Sequence, residues 1–442
     1  MQLPRIISWR PISLLALLAC LALLIIFLQF FPLSVDLEDH SGGVTGPVEV
    51  LFVGDPFAHA IEARLEEVSR SIGHSLRLSV RRYARTYETL LSNARDEESY
   101  FHIVSFDILW LPDLVQRGIL LPLPMDELIS LGFRPEEHHA ATLEFNAYKE
   151  LIYGLPIQSH PELLWYRRDL LEEAGFAPPA TLAELVEQAR YFHRPEEGFF
   201  GICWNGLRGQ ALGQTVTHLY AAFGQPVVDE KGRIMIDTET GREVVHFLRE
   251  LITVSPPDIL AMAWDQRIER FSRGQSAFTY GWMARSPAAE IDPLSRVQGR
   301  VGFIAPPGRD SGIVPTPMGQ WSIGIPSNLP PDQINRAKQA MIALVSRPTE
   351  EILRQEHFFG NHLIWTAEDF AQLPEHSGPA VVQHILADRL FDAGARPSLP
   401  QWSRLADILG VVFHDLLQHE LDIDEALAKA QRQAEGNDFE AP

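Results

Sequence analysis

The chain has 442 residues, 46% hydrophobic and 21% charged, an ordinary globular composition that excludes disorder as its main state and gives length for two or three domains. Thirty-seven Lys and Arg stand against 58 Asp and Glu, a net charge of −21, and such a surface repels a phosphate backbone, which argues against nucleic-acid partners. The two cysteines, Cys20 and Cys203, cannot build a disulfide framework or a thiolate metal site, so burial must hold the fold together.

The first element reads as a membrane segment. Every residue from Leu14 to Leu28 is apolar, and with its flanks, residues 11–33, the stretch is about long enough to cross the hydrocarbon core of a bilayer as a helix. Arg5 and Arg10 precede it, while Asp36, Glu38 and Asp39 follow. The positive-inside bias therefore puts residues 1–10 in the cytoplasm and the body in the periplasm or cell exterior of a bacterium, tethered to the cytoplasmic membrane. Leu17-Leu18-Ala19-Cys20 resembles a bacterial lipobox, so three fates stand open: an uncleaved single-pass anchor, a lipoprotein at Cys20 and a cleaved secretory signal. The apolar run continues well past Cys20, which favours the anchor. Residues 34–46 read as a polar, glycine-containing linker.

In the body, Val48–Val53 is a β-rich run, and Ile61, Leu65, Val68 and Ile72 have helical spacing closed by Gly73. Leu76–Val80 alternates as a strand, Tyr87–Ala94 is helical, and Ile103–Trp110 is a further strand. Successive β-α units predict an α/β sheet with mainly parallel strands, and ligands of such sheets bind at the carboxyl ends of strands. That rule marks Gly54, Asp55, Asp107 and Trp110. Tyr153–Ile157 reads as a short strand at a hinge, with a helical pattern after it. Asp169–Ala174 is a helix ending at Gly175, and Thr181 with Glu184 forms a capping box ahead of Leu182, Leu185, Val186 and Ala189. A Pro- and Gly-rich stretch covers Ala305–Pro317, a strand follows over Trp321–Ile325, and a helical tail runs from Arg404 to Ala434 with a break near Asp422.

Nothing in the chain marks an enzyme, a cofactor or a metal. No nucleophile elbow, phosphate loop, dinucleotide fingerprint or His-Glu-x-x-His pattern occurs. His138 and His139 are adjacent, and His414 and His419 are five apart, so neither pair presents two imidazoles to one metal; all four are expected in solvent. Asp107 with another cleft carboxylate is the one conceivable glycosidase pair, and nothing in the sequence pairs them.

Leu164–Leu185, which reads LWYRRDLLEEAGFAPPATLAEL, resembles the signature of family 1 extracellular solute-binding proteins of ABC importers. Further stretches match that family in order: Phe106–Trp110 with Gly118–Pro122, Phe271–Trp282, Gly319–Pro326 and Ala395–Pro397. Together they span nearly the whole chain from Val48. Gln320 departs from the pattern, standing where many relatives have a second glycine, so backbone approach to a ligand there is expected to differ. The resemblance, strongest to trehalose- and maltose-binding members, implies an α/β fold that is a two-lobed, hinged clamshell of periplasmic-binding-protein type. Residues 47–156 plus 303–346 would form the first lobe, and 157–302 plus 347–442 the second. It also implies a small-molecule solute, a mono- or oligosaccharide, delivered to the permease subunits of an ABC transporter without catalysis. A ligand sensor for a membrane receptor is the alternative function, and a glycerol phosphodiester or polyamine the alternative ligand.

Sugar rings pack their C–H faces on indole and need planar polar partners for their hydroxyls. On the positions implied by the family, Trp282 and Trp321 are the ligand platforms. Trp110, Trp165 and Trp204 stand between that role and core packing, and Trp264, Trp365 and Trp402 are expected to be structural. Asp107 matches the carboxylate that relatives use on sugar hydroxyls, and Arg396 their cleft arginine; the plain readings are a helix cap and a surface ion pair. Asp55 is expected to cap the next helix, with Gly54 giving close backbone approach. Gln158 and Ser159, just past the hinge, are candidate hydrogen-bond partners, as is Gln320 beside Trp321.

Overall fold

The computed structural model describes residues 46–229, 231–310, 316–371, 377–391, 395–397 and 399–436. The apolar segment at 11–33, Cys20 and the linker up to residue 45 lie outside the described residues. Among the described residues no helix is long and apolar enough to cross a membrane.

The first β-α units form as the spacing predicts. β1 (Val48–Val53) is buried along its whole length and pairs in parallel with β2 (Leu76–Arg81) and β3 (Ile103–Asp107). The connections are α1 (Pro56–Ala63), α2 (Leu65–Ile72) and α3 (Tyr83–Asn93). Ile61, Val68 and Ile72 turn inward, and Gly73 ends α2 in the left-handed conformation at φ 72°, which glycine adopts at no steric cost. A two-residue hairpin, β4 (Ala147–Tyr148) with β5 (Leu151–Ile152), precedes the central strand.

That strand, β6 (Leu155–Arg167), departs most from the sequence reading. The short strand at Tyr153–Ile157 does not give way to helix; it continues to Arg167 with all 13 residues buried. Its first half pairs antiparallel with β10 (Met318–Gly324), and its second half antiparallel with β8 (Ser276–Trp282) and β9 (Val301–Ile304). β7 (Phe200–Cys203) adds to β8 in parallel. The sheet order is thus β2-β1-β3-β10-β6-β8-β7, with β9 also on β6. Parallel pairing is confined to β1–β3 and β7–β8; the strands that join the two halves run antiparallel. A strand covered on both faces lacks the simple apolar-polar alternation of a half-exposed one, and Gly154 and Pro156 made this one read as a short strand at a hinge.

Two large apolar cores and one small one cover this sheet. One is built on β1, β3 and the helices α9 (Pro331–Leu344) and α10 (Arg347–Arg354). Another gathers α5 (Leu182–Phe192), α6 (Gln210–Ala222), α7 (Glu239–Ile252), α12 (Trp402–Gln418) and α13 (Ile423–Ala434). The small one holds Trp165, Phe271 and Phe303. Two segments sit away from the lobe expected for them. Phe303 lies on β9 against the second half of β6, and Leu353 and Phe358 pack in the core of β1 and β3. Helix signals were legible: Thr181 accepts from Glu184 N at 3.1 Å, while the Glu184 carboxylate accepts from Ala180 N, one residue upstream of the capping-box position. α12 and α13 divide at Asp422, which caps α13 through Glu425 N at 2.9 Å. α6 and α12 cross tightly because a Cβ at Gly213 would lie only 1.8 Å from Ala406 O.

Candidate ligand-binding cleft

Between the two larger cores lies a cleft of about 640 Å³, a size usual for small-molecule sites. Gly54 and Asp55 reach it from the end of β1, Tyr83 from α3, Asp107 from the end of β3 and Trp321 from β10. The opposite wall brings Gln214 from α6, Trp264 and Asp265 from the start of α8 (Trp264–Ser272), Trp282 from the end of β8, Arg285, and Trp402 from α12. His160 of β6 lies between the two walls, and Arg82 and Arg396 also line the cleft.

Asp107 combines both of its sequence readings. One oxygen accepts from Leu109 N at 3.1 Å, capping a short 3₁₀ turn, and Arg396 grips both oxygens at 2.9 and 3.3 Å. Tyr83 OH donates a further bond at 3.2 Å. The Arg396 pair is buried rather than superficial, its guanidinium also donates to Met318 O at 3.2 Å, and it lies 4.9 Å from the ring centre of Trp282.

Asp55 does not make the expected cap. It occupies the N-cap position of α1 in extended backbone, but no side-chain cap bond forms. Its Oδ2 instead accepts from the indole N–H of Trp321. Its Oδ1 is buried with no hydrogen-bond partner among the described residues, and Arg285 Nη1 stands 3.8 Å away. Burial pushes the Asp55 carboxyl above its usual range, against the pull of Arg285 and of the Trp321 N–H.

His160 is stacked at 6.1 Å on Trp321 and meets Trp282 edge-on at 5.6 Å. Gly319 permits this: a Cβ there would lie 2.6 Å from His160 Nε2. Burial, helped by the Arg396 charge, lowers the imidazole to about 3, so it is neutral at pH 7 and keeps one nitrogen able to accept. Its Nδ1 has no partner among the described residues.

Gly54, Asp55, Asp107, Trp282, Trp321 and Arg396, singled out from sequence, therefore meet in one cleft. The others do not reach it. Trp165 is fully buried in the small core and donates to Gly281 O at 3.0 Å; Trp204 is fully buried in the helical core and donates to Ser255 Oγ at 2.9 Å. Trp110 packs behind the cleft wall, 4.6 Å from Tyr83 and 6.2 Å from Trp321. Strand alternation turns Gln320 away from Trp321. Its amide accepts from Ser159 Oγ and donates to Thr142 O, both at 3.0 Å, so neither Gln320 nor Ser159 lines the cleft. Gln158 lines a smaller neighbouring cavity.

Trp264 and Trp402, expected to be structural, line the cleft instead. Trp264 met the criterion of an indole beside a carboxylate, since Asp265 follows it. Tyr83, His160 and Gln214 carried no local signal. His138, His139 and His414, expected in solvent, are buried. His139 Nε2 bonds Gln383 Oε1 at 2.8 Å, His414 Nε2 bonds Leu260 O at 3.3 Å, and His138 packs on His362. Among the described residues no group of three His, Cys, Asp or Glu is placed to hold a metal.

The cleft thus offers indole faces, a carboxylate with an unused oxygen, a neutral imidazole and a fixed guanidinium. A family model described as bacterial extracellular solute-binding protein matches residues 103–346, more than half of the chain. The mannitol-binding protein of Pseudomonas aeruginosa is 25% identical over 210 residues, which is 46% of each chain. The chain spans about half the length of the curated relatives it matches. Of solved structures, an ABC transporter solute-binding protein from Agrobacterium radiobacter in complex with ribitol is 21% identical, with a TM-score of 0.78 over 89% of this chain and 99% of that one. Maltose-bound MalE3 of T. maritima is 20% identical, with a TM-score of 0.73 over 87% and 98%. These likenesses establish a two-lobed α/β fold of the periplasmic-binding-protein type. By the match over residues 103–346, the chain belongs to the bacterial extracellular solute-binding proteins.

Proposed function

We propose that the protein is the extracytoplasmic solute-binding component of an ABC importer, and that its solute is a small neutral polyol or sugar held between the lobes and delivered to permease subunits. The observation that carries this reading is the charge balance of an aromatic cleft. Asp55, Asp107 and Asp265 line it with Arg82, Arg285 and Arg396, and Trp264, Trp282, Trp321 and Trp402 supply the faces. Equal numbers of opposite charges favour neither a phosphodiester nor a polyamine. Indole faces suit the C–H surface of a carbohydrate, while Asp55 Oδ1 and His160 Nδ1 suit its hydroxyls. The mannitol-binding relative and the ribitol and maltose complexes support the same ligand class.

Binding between walls that belong to different cores would favour closure, because only the closed state contacts the ligand from both sides. The segment at 11–33 supports tethering to the cytoplasmic membrane with the cleft outside, and Cys20 supports the lipoprotein alternative. Mass spectrometry of the membrane fraction separates an intact amino terminus from one that begins at a lipidated cysteine. The ligand class is tested by thermal melting against mannitol, ribitol, maltose, trehalose, glycerophosphocholine and spermidine. A neutral ligand at a hundred times its Kd should add about 2.7 kcal/mol of stability. Stabilisation by a charged solute alone would remove the carbohydrate assignment.

A further inference from the structure

We propose that the cleft continues along β6 into a second chamber, and that this chamber holds one further neutral sugar unit of a ligand longer than a single polyol. The proposal rests on the sugar-binding reading above. Alternate residues of a strand share a face and advance by about 7 Å. Gln158 and His160 are such a pair: His160 lies in the cleft, and Gln158 lines a separate cavity of about 250 Å³. The two cavities adjoin. Ala284 lines both, Asp55 and Arg285 line the first, and their chain neighbours Pro56 and Ser286 line the second. The 3.8 Å approach of Arg285 to Asp55 therefore stands at the junction.

The chemistry of the second chamber fits a neutral, hydroxylated group. Gln158 is only 3% exposed, and its side-chain oxygen is buried with no partner among the described residues. A buried amide oxygen left unbonded is costly, and nothing in the pairing of β6 with β10 accounts for it. Ser286 and His59 add further polar groups, while Phe358 and Phe359 supply apolar surface. The one acidic group among the described lining residues, Glu356, is paired with Arg64 at 2.5 Å, and no Lys or Arg is among them. At about 250 Å³ against about 640 Å³ for the main cleft, the chamber is well under half its size, which suits one ring and not two.

Isothermal titration of the full-length protein in detergent with matched pairs tests this: D-glucitol with maltitol, and D-glucose with maltose, in which the second member adds one glucosyl unit. In at least one pair the glycosylated member should bind tenfold or more tighter, and Gln158→Leu should bring the ratio within that pair close to one. Should Gln158→Leu fail to fold, His59→Trp serves instead, because the His59 side chain is 64% exposed and an indole there would fill the chamber from its outer side. The proposal is overturned if the glycosylated member binds no tighter in every pair that binds, or if the gain survives the variants. If no member of either pair binds, and mannitol, ribitol and trehalose also fail, the sugar-binding reading itself falls and takes the second chamber with it.

Discussion

Two carboxylates stand at the ends of neighbouring parallel strands in one cleft, Asp55 after β1 and Asp107 at the end of β3, and their surroundings differ. Asp107 receives a backbone N–H, a tyrosine hydroxyl and two arms of Arg396. Asp55 receives one indole N–H and keeps an oxygen without a bond. The same residue type at the same topological position thus serves different ends, according to how many donors the fold aims at it. Asp107 is scaffold for the cleft, and Asp55 is the carboxylate with capacity left for a ligand.

The largest effect should come from breaking the saturated corner. Arg396→Ala would leave Asp107 buried without its cation, and removal of one partner of a buried pair costs about 3–5 kcal/mol; a large fall in melting temperature is expected without ligand present. Asp55→Asn should behave in the opposite way. Its carboxylate is already disfavoured by burial, so stability should hold or rise, while sugar affinity falls by about 1.5–3 kcal/mol as a charge-assisted hydrogen bond is lost. Calorimetric melts and titrations on both variants check the contrast. If Asp55→Asn unfolds the protein as Arg396→Ala does, the two corners are equivalent and the division fails. Next in size is Trp282→Ala, which removes an indole lining the cleft; sugar affinity should fall about tenfold, roughly 1.4 kcal/mol. Unchanged affinity would reassign that ring to supporting Arg396.

What the sequence disclosed follows the same division. Groups tied to a strand end or to a linear motif were found: Asp55 and Gly54 after the first strand, Asp107 after the third, Trp321 and Arg396 within family-like segments. Their roles were less legible, because partners came from far along the chain. Asp55 looked like a cap because a helix follows it, whereas its donor, Trp321, lies 266 positions away. Trp165 and Trp204 were false leads for the matching reason. Each indole N–H is satisfied inside a core, by Gly281 O and Ser255 Oγ, and no local pattern distinguishes an indole bonded in this way from one turned to a ligand. β6 was misread as a short strand followed by helix, because Gly154 and Pro156 looked like its end and its buried polar residues break the alternation of a half-exposed strand. Glu162 shows how: its carboxylate is paired with Arg267 at 2.5 Å and accepts from Gln214 at 2.9 Å, and Gln214 in turn accepts from the indole of Trp264 at 3.2 Å. Glu162, which no sequence motif marked, is thereby connected to the cleft wall through Gln214.

The smallest effect concerns His160, whose neutrality is a property of the cleft rather than of the residue. In the unfolded chain its imidazole takes a proton near pH 6.5, whereas in the fold it resists protonation down to about 3. Its contribution to stability is therefore complete above pH 6.5 and is lost as the pH falls from there towards 3, by about 1.4 kcal/mol for each pH unit. His218, lowered by burial to about 4, and His138, lowered to about 2, act in the same direction, as do His74, His102, His139 and His362, each lowered chiefly by burial, so the wild-type curve should steepen with all of them. Asp55 has the opposite sign: its raised carboxyl contributes most below its unfolded value and loses that contribution as the pH rises. His160→Gln should remove one histidine's share of the slope between pH 6.5 and 5.5, seen as a narrowing gap between variant and wild-type melting temperatures. A gap that widens as the pH falls across that interval would mean that His160 binds its proton more tightly in the fold than in the unfolded chain. It would then be a donor to the ligand and not an acceptor, and Asp55 alone would be left to receive the sugar hydroxyls.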